Sequence, residues 1–275
     1  MDYIELNITS IRDIDPEIIL AQLAELGFES FSESENILQG YVREDVYDEQ
    51  AVASYLASLK VSHDLEFAFQ RIPEQNWNAL WESAYEPVTI RGKCQVRAPF
   101  HPPVPGIEYD LVIEPRMSFG TAHHETTSLM LELMMEEEIA GKDVLDMGCG
   151  TGVLAILAFK MQAARVVAID NDEWAFSNAL DNVAVNGAAA IRVIRGEVDG
   201  IPLPGYDLIV ANINRNVLLK DIPGYSGFLN GKGVLLLSGF YEQDLEMISE
   251  VAAGAGLHYV THKSANHWVG ARFMK

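Results

Sequence analysis

Val144-Leu145-Asp146-Met147-Gly148-Cys149-Gly150-Thr151-Gly152 decides how the larger part of this chain folds. An apolar run meets a carboxylate and passes straight into three glycines at every second position. Val153-Leu154-Ala155-Ile156-Leu157-Ala158 follows, an apolar stretch suited to a buried helix. Strand, glycine turn, helix is the unit with which an open α/β sheet holds a nucleotide-like ligand.

Which ligand depends on the charge beside the loop. Glycine lets backbone approach a ligand where a Cβ would clash. Dinucleotide folds use such a loop to seat a pyrophosphate at a helix N-terminus, where the dipole favours anions. Asp146, ahead of the loop, opposes a pyrophosphate and suits a cation. S-adenosyl-L-methionine has no phosphate and carries a sulfonium and a free α-amine, so it meets that condition. The looser dinucleotide pattern is also present in Gly150-x-Gly152-x-x-Ala155, with Asp170 about 20 residues on, as that fingerprint asks. The loop therefore leaves three readings open: the methyl donor, a dinucleotide, and a glycine turn with no ligand.

Outward from the loop, strand and helix patterns alternate. A helix over 125–140 precedes the first strand. Further strands are expected at 165–169, 191–194, 206–211 and 233–237, with a helix over 173–185 among the segments between them. This alternation predicts a parallel sheet covered on both faces. The last two strands, 258–262 and 268–274, have only a short polar turn between them, which predicts an antiparallel hairpin at the sheet end. Before this region, residues 93–118 suggest short strands, including 109–113, interrupted by five prolines.

Residues 1–72 have a separate rhythm. Strand-like alternation at 3–8, a helix at 16–26 with Asp15 as N-cap and Gly27 as stop, strands at 28–31 and 37–42, a helix at 48–59 and a strand at 65–72 give the order β-α-β-β-α-β. That order is the ferredoxin-like arrangement. Residues 73–92 read as a connector, with Trp77, Trp81 and Tyr85 along one face of a short helix. Residues 93–275 form the third division.

Composition narrows the classes. The 275 residues carry 40 acidic and 19 basic side chains, a formal charge of −21. Binding to a phosphate backbone rests on lysine and arginine, so no direct nucleic acid binding is expected. A basic partner could be steered in by the same charge. Residues 1–72 hold 15 of the acidic and 4 of the basic side chains, about half the net charge on about a quarter of the chain. No apolar run is long enough to span a membrane. Met1–Glu5 shows neither a basic flank nor an apolar run, so no signal peptide is expected. Cys94 and Cys149 are expected as free thiols in a reducing cytoplasm, and no Cys/His spacing suggests a metal site.

Three further constellations carry chemistry. Asp170 closes Val166-Val167-Ala168-Ile169-Asp170, where a carboxylate can accept from both ribose hydroxyls; adenosyl and dinucleotide cofactors share this need. Gly196-Glu197, after the next strand, would border a base. Asn212 closes Asp207-Leu208-Ile209-Val210-Ala211-Asn212, beside the first strand, where an amide fixes one donor and one acceptor. It is followed by Ile213-Asn214-Arg215 rather than two prolines and an aromatic, which disfavours methyltransferases of exocyclic or amide nitrogens. Ahead of the loop, Glu114-Pro115-Arg116-Met117-Ser118-Phe119-Gly120-Thr121-Ala122-His123-His124-Glu125-Thr126-Thr127 crowds hydroxyls and histidines at a helix start. An N-cap with surface histidines would look the same.

Taken together, these motifs resemble the bacterial methyltransferases of large-subunit ribosomal protein L11. The resemblance rests on Phe119-Gly120-Thr121 with His124, Thr126 and Thr127; on Asp146 to Gly152; on Ile169-Asp170; and on Ala211-Asn212-Ile213. It extends over essentially the whole chain, with Arg116 and Ala122 standing where that family usually has glycines. It implies an α/β class I methyltransferase fold, Rossmann-like with a seven-stranded mixed sheet, preceded by a small N-terminal ferredoxin-like α+β domain. It also implies S-adenosyl-L-methionine held by Thr127, Gly148, Gly150, Asp170 and Asn212. The reaction implied is methylation of lysine ε-amines and of an N-terminal α-amine, with residues 1–72 recognising ribosomal protein L11. No general base stands out; His124 is a candidate. The alternatives are a class I methyltransferase of another protein or a small amine, a non-catalytic adaptor for a basic partner, and a nicotinamide dehydrogenase.

Overall fold

The computed structural model describes residues 2–9, 15–34, 37–63, 65–72, 86–115, 120–202 and 205–275. The aromatic face of the connector (Trp77, Trp81, Tyr85) lies outside them, as do Arg116 and Phe119. The chain divides into two compact units, Met1–Ala84 and Tyr85–Lys275.

In the first unit, strands β1 (Tyr3–Thr9), β2 (Ser30–Ser34), β3 (Ile37–Arg43) and β4 (Glu66–Ile72) form one sheet in the order β2-β3-β1-β4, with helices α1 (Pro16–Glu25) and α2 (Glu49–Ser62) in the connections. β1 runs antiparallel to both β3 and β4. The helix starts follow local chemistry: Asp15 accepts from the Glu17 N–H, and Asp48 accepts from the Gln50 and Ala51 N–H groups. These satisfy amides that a first turn leaves open. Alternate strand residues Leu6, Ile8, Leu38 and Val42 meet Ile19, Leu23, Val52 and Leu56 of the helices in a fully buried core. The opposite sheet face is polar, and Glu5, Asn7, Gln39 and Tyr41 hydrogen-bond across it.

The second unit holds a seven-stranded sheet of order β10-β9-β8-β11-β12-β14-β13. Its strands are β8 (Asp143–Met147), β9 (Arg165–Asp170), β10 (Arg192–Arg195), β11 (Tyr206–Asn212), β12 (Leu229–Tyr241), β13 (His258–Ala265) and β14 (Trp268–Met274). β8 to β12 pair in parallel, and β14 runs antiparallel between β12 and β13. Helices α3 (Glu125–Met135), α4 (Val153–Lys160) and α5 (Glu173–Val185) cover one face; α6 (Arg215–Phe228) and α7 (Leu245–Gly254) cover the other. Strand alternation produces both cores. Val144, Val166, Val210 and Leu236 face α3–α5, while Leu145, Val167, Ile209 and Leu237 face α6 and α7. The chain winds outward from β8 through β9 to β10, then returns to place β11 on the other side of β8. Ligands of such sheets bind at this reversal, beyond the carboxyl ends of the strands.

A three-stranded sheet of β5 (Val88–Ile90), β6 (Cys94–Arg97) and β7 (Tyr109–Val112) packs its apolar residues against the α3–α5 side. Val88–Ile90, which the sequence reading assigns to the connector, pairs with Cys94–Arg97 and so belongs to this sheet. The helix expected over 125–140 ends at Met135. Both cysteines are unpaired and buried. Burial pushes the Cys94 thiol up to about 12 and holds Cys149 well above its usual value, so neither is a ready nucleophile. Among the described residues, no helix is long and apolar enough to cross a membrane.

Candidate functional site

The glycine loop turns through left-handed backbone at each glycine, with φ of +66° at Gly148, +54° at Gly150 and +77° at Gly152. Gly148 is required for space as well, since a Cβ there would collide with the Ile213 side chain. Ile213 is hemmed in from the other side by Gly239, at φ +95°, where a Cβ would strike the Ile213 carbonyl. The loop is stitched to the next strand: Gly148 and Cys149 N–H donate to the Ile169 carbonyl at 2.8 and 3.1 Å.

Asp170 completes the stitching. Its Oδ2 accepts from the Gly150 N–H at 2.8 Å and its Oδ1 accepts from the Asp172 N–H at 3.0 Å. Each carboxylate oxygen retains a further lone pair, and the side chain lines the crevice. This arrangement bears on the choice of ligand. The Gly150 amide, which a pyrophosphate would use, is already filled by a carboxylate, so an anion at this loop would stand against a negative charge.

Asp146 is placed differently from the sequence expectation. It is fully buried and absent from the crevice wall; its Oδ2 accepts from the Ala155 N–H at 3.0 Å, and its Oδ1 has no partner. Its carboxyl caps the first turn of α4 from behind the loop. Burial, with a smaller push from Asp170, raises it to about 7. The charge that a ligand meets at this loop is therefore that of Asp170 and not that of Asp146.

Asn212 ends β11 at the reversal point. Its Nδ2 donates to the Thr127 hydroxyl at 3.3 Å, and its Oδ1 is buried without a partner. Thr127 is buried behind the wall, while Thr126 is on it. Both side chains are almost fully buried, and Thr127 reaches the wall through its hydrogen bond to Asn212. Thr127 thus positions the amide. His124 is the N-cap of α3: its Nδ1 accepts from the Thr126 N–H at 3.3 Å and lies 2.9 Å from the Thr126 hydroxyl. An Nδ1 used in this way leaves the neutral-form proton on Nε2, so the accepting nitrogen that a general base needs is already engaged. Ala122, where the resemblance expects glycine, has φ of +64°, a region that costs a side chain about 1–2 kcal/mol.

These residues border one cavity of about 1210 Å³, larger than the roughly 300–1,000 Å³ usual for a single small ligand. Gly148, Gly150, Asp170, Asn212, His124 and the Gly196–Glu197 turn all lie on its wall. Several wall residues are not legible as such in the sequence. Trp268 lies against His124 and Tyr241, with ring centroids 4.7 and 4.0 Å apart. Trp174 is on the wall and 83% exposed. Asp221 and Tyr225 of α6 line the cavity with buried oxygen atoms whose nearest polar neighbours are each other, without a well-formed hydrogen bond. Their only sequence signal is a spacing of four on a helix. Among the described residues, no group of three or more histidine, cysteine or acidic side chains could hold a metal ion.

A glycine-loop crevice at the switch point of a mixed sheet, closed by an antiparallel hairpin, defines the class I methyltransferase fold. Comparison with known proteins narrows the class. The family profile described as Ribosomal protein L11 methyltransferase (PrmA) matches residues 9–275. Relatives of that name from Phocaeicola vulgatus and Porphyromonas gingivalis are 37% and 43% identical, over 100% and 94% of this chain and 99% and 90% of theirs. The crystal structure of a ribosomal protein L11 methylase from Lactobacillus delbrueckii subsp. bulgaricus superposes with a TM-score of 0.64 at 27% identity, covering 69% of this chain and 98% of that one. This chain belongs to the ribosomal protein L11 methyltransferase family.

Proposed function

We propose that this protein transfers methyl groups from S-adenosyl-L-methionine to lysine ε-amines and the N-terminal α-amine of ribosomal protein L11, in the cytoplasm. The observation that carries the reading is Asn212: a buried amide oxygen with no partner, at the strand reversal, held in place by Thr127. A buried acceptor of this kind is costly unless a ligand donates to it, and the α-amine of the methyl donor would do so. Asp170 would accept from the ribose hydroxyls, and Gly148 lets the cofactor lie against backbone. The engaged Gly150 amide weighs against a dinucleotide. The substrate follows from what the relatives are named for.

Bound S-adenosyl-L-methionine supplies an electrophilic methyl group on its sulfonium. The residues at the Asn212 end would orient and dehydrate the amine that approaches it. A lysine amine, with an ordinary pKa of about 10.4, must first lose its proton. The Trp268 and His124 rings at this end can strip water from it and so favour the neutral form. With the accepting nitrogen of His124 in use, release of the proton to water fits this site better than transfer to a side chain. Positioning then supplies most of the rate.

Residues 1–72 would recognise the basic substrate. In the described part, Arg43 pairs with Asp45, and Arg71 pairs with Asp2 and Glu44, which leaves the unit's acidic excess uncompensated. Such a surface steers a lysine-rich protein toward it. The test is incubation with purified ribosomal protein L11 and labelled methyl donor, followed by mass mapping. Label on lysines and the N-terminus is expected; no transfer would sink the proposal. Titration with S-adenosyl-L-methionine and with NAD separates the cofactor readings, and heat only with NAD would reverse the choice. Removal of residues 1–72 should leave cofactor binding intact and abolish methylation of the protein.

A further inference from the structure

The side of the cavity formed by α6 holds two polar groups to which neither the family resemblance nor the proposed transfer assigns a role. Asp221 and Tyr225 stand one helical turn apart on α6. Both line the cavity; Asp221 is 8% exposed and Tyr225 fully buried, and neither Asp221 Oδ1 nor Tyr225 Oη has a well-formed hydrogen bond among the described residues, although the two side chains are close enough for the hydroxyl to favour the carboxylate. Two adjacent buried groups, one carboxylate and one hydroxyl, with at most each other for a partner on a cavity wall, are expected to meet a ligand.

Their place in the crevice says which part of the ligand. Asn212, Thr126 and Trp268 form one end, and Gly148, Gly150 and Asp170 lie beyond them. The Gly196–Val198 turn follows Asp170, since the Gly196 N–H donates to the Asp170 carbonyl at 2.9 Å. α6 packs on this turn through Gly224, where a Cβ would stand 2.9 Å from Val198 Cγ2. Tyr225 adjoins that contact. Burial raises the Asp221 carboxyl above its ordinary range, and the carboxylates of Glu197 and Asp199 add to this against Lys220 and the Tyr225 hydroxyl. All of these observations put Asp221 and Tyr225 past the ribose position, at the base.

We infer that Asp221 and Tyr225 read the Watson–Crick edge of the cofactor's adenine, with Asp221 accepting from the exocyclic amine and the Tyr225 hydroxyl donating to N1. This rests on S-adenosyl-L-methionine being the cofactor. The chemistry is complementary in sign. Adenine presents a donor and an acceptor side by side, and the pair presents an acceptor and a donor. Hypoxanthine inverts both, placing a carbonyl against the carboxylate and an N–H against the hydroxyl. A site built to pair with one pattern rejects the other, because its own buried groups are then left open.

The test is calorimetric titration of the full chain with S-adenosylhomocysteine and S-inosylhomocysteine. The wild type should favour the adenosyl compound by about tenfold to a hundredfold, the range of a good two-point base contact. Asp221→Asn can present either a donor or an acceptor and should collapse that ratio to within about threefold, chiefly by gaining affinity for the inosyl compound. Tyr225→Phe should lower adenosyl affinity and shrink the ratio partway. An improved fit to one ligand cannot come from misfolding, so the result stands apart from any stability loss. An unchanged ratio in both variants would assign the pair to the architecture of α6 and overturn the inference, with the cofactor reading untouched. No binding of S-adenosylhomocysteine by the wild type would instead remove the cofactor reading on which the inference rests.

Discussion

Asp146 and Asp170 end neighbouring parallel strands, on the same sheet face and at the same edge. In the register, Asp146 stands opposite Ala168, so Asp170 lies two residues nearer the rim. At about 3.3 Å per residue this is roughly 7 Å of depth. Depth separates their chemistry. Asp146 is dry, caps a helix turn and has its carboxyl raised to about 7; Asp170 is half-buried and ties two loops together along the cavity wall. A carboxylate at a strand end thus becomes a piece of scaffold or a ligand contact according to one pleat of register.

The contrast can be broken by exchanging what each residue controls. The largest effect is expected at Asp170. Asp170→Ala removes the ribose contacts and frees the Gly150 amide, and should weaken S-adenosylhomocysteine binding at least a hundredfold, about 3 kcal/mol, in calorimetric titration. Asp146→Ala should reverse the pattern. Loss of the Ala155 cap beside a new void should lower unfolding free energy by about 1–3 kcal/mol in urea, with cofactor affinity changed less than threefold. If Asp146→Ala abolished binding while stability held, the division of roles would fail.

A smaller effect sharpens the comparison through pH. The folded-state value for Asp146, about 7, lies above the ordinary carboxylate value of 3.8. The folded chain therefore binds this proton more tightly than the unfolded chain does. The contribution is fully present below the unfolded value and is lost as pH rises toward and through about 7. The isosteric Asp146→Asn lacks this loss, so its urea midpoint should gain on the wild type between pH 5 and 8. A constant difference would mean that Asp146 is already ionised in the fold. The smallest change is expected from Thr127→Val, which keeps the buried shape and removes the partner of Asn212 Nδ2. Cofactor affinity should fall by about threefold to tenfold; no change would mean that the amide is oriented by something else.

The sequence carried most of the architecture because alternation and glycine spacing are local. The loop from Gly148 to Gly152, the helix at Glu173–Val185 and the final strand at Trp268–Met274 are placed by pattern alone. Asp15 caps a helix where its residue type says it should. What pattern does not encode is register and phase. Asp146 looks like a ligand contact from its position before the loop, yet its depth depends on how β8 aligns with β9. Thr126 and Thr127 are adjacent in sequence, and only the rotation of α3 decides that Thr126 borders the cavity while Thr127 bonds Asn212. Asp221 and Tyr225 belong to a helix that reads as ordinary, and become conspicuous only when the space beside them is seen. The positive φ of Ala122 is likewise invisible until the chain is folded.

Ile213 adds a lesson about how such a pocket can change. It follows Asn212 and sits between Gly148 and Gly239, neither of which has room for a side-chain carbon toward it. A loop and a strand from distant parts of the chain therefore grip one residue through bare backbone. Variation at either glycine would displace the neighbouring amide, so those two positions offer little latitude to selection or to a designer. α6, whose side chains form the facing wall, has its bare-backbone contact at Gly224, against the Val198 side chain, and not at the residues that face the cavity. The freedom to acquire a new preference in this fold lies on that helix, while the methyl-donor end stays fixed.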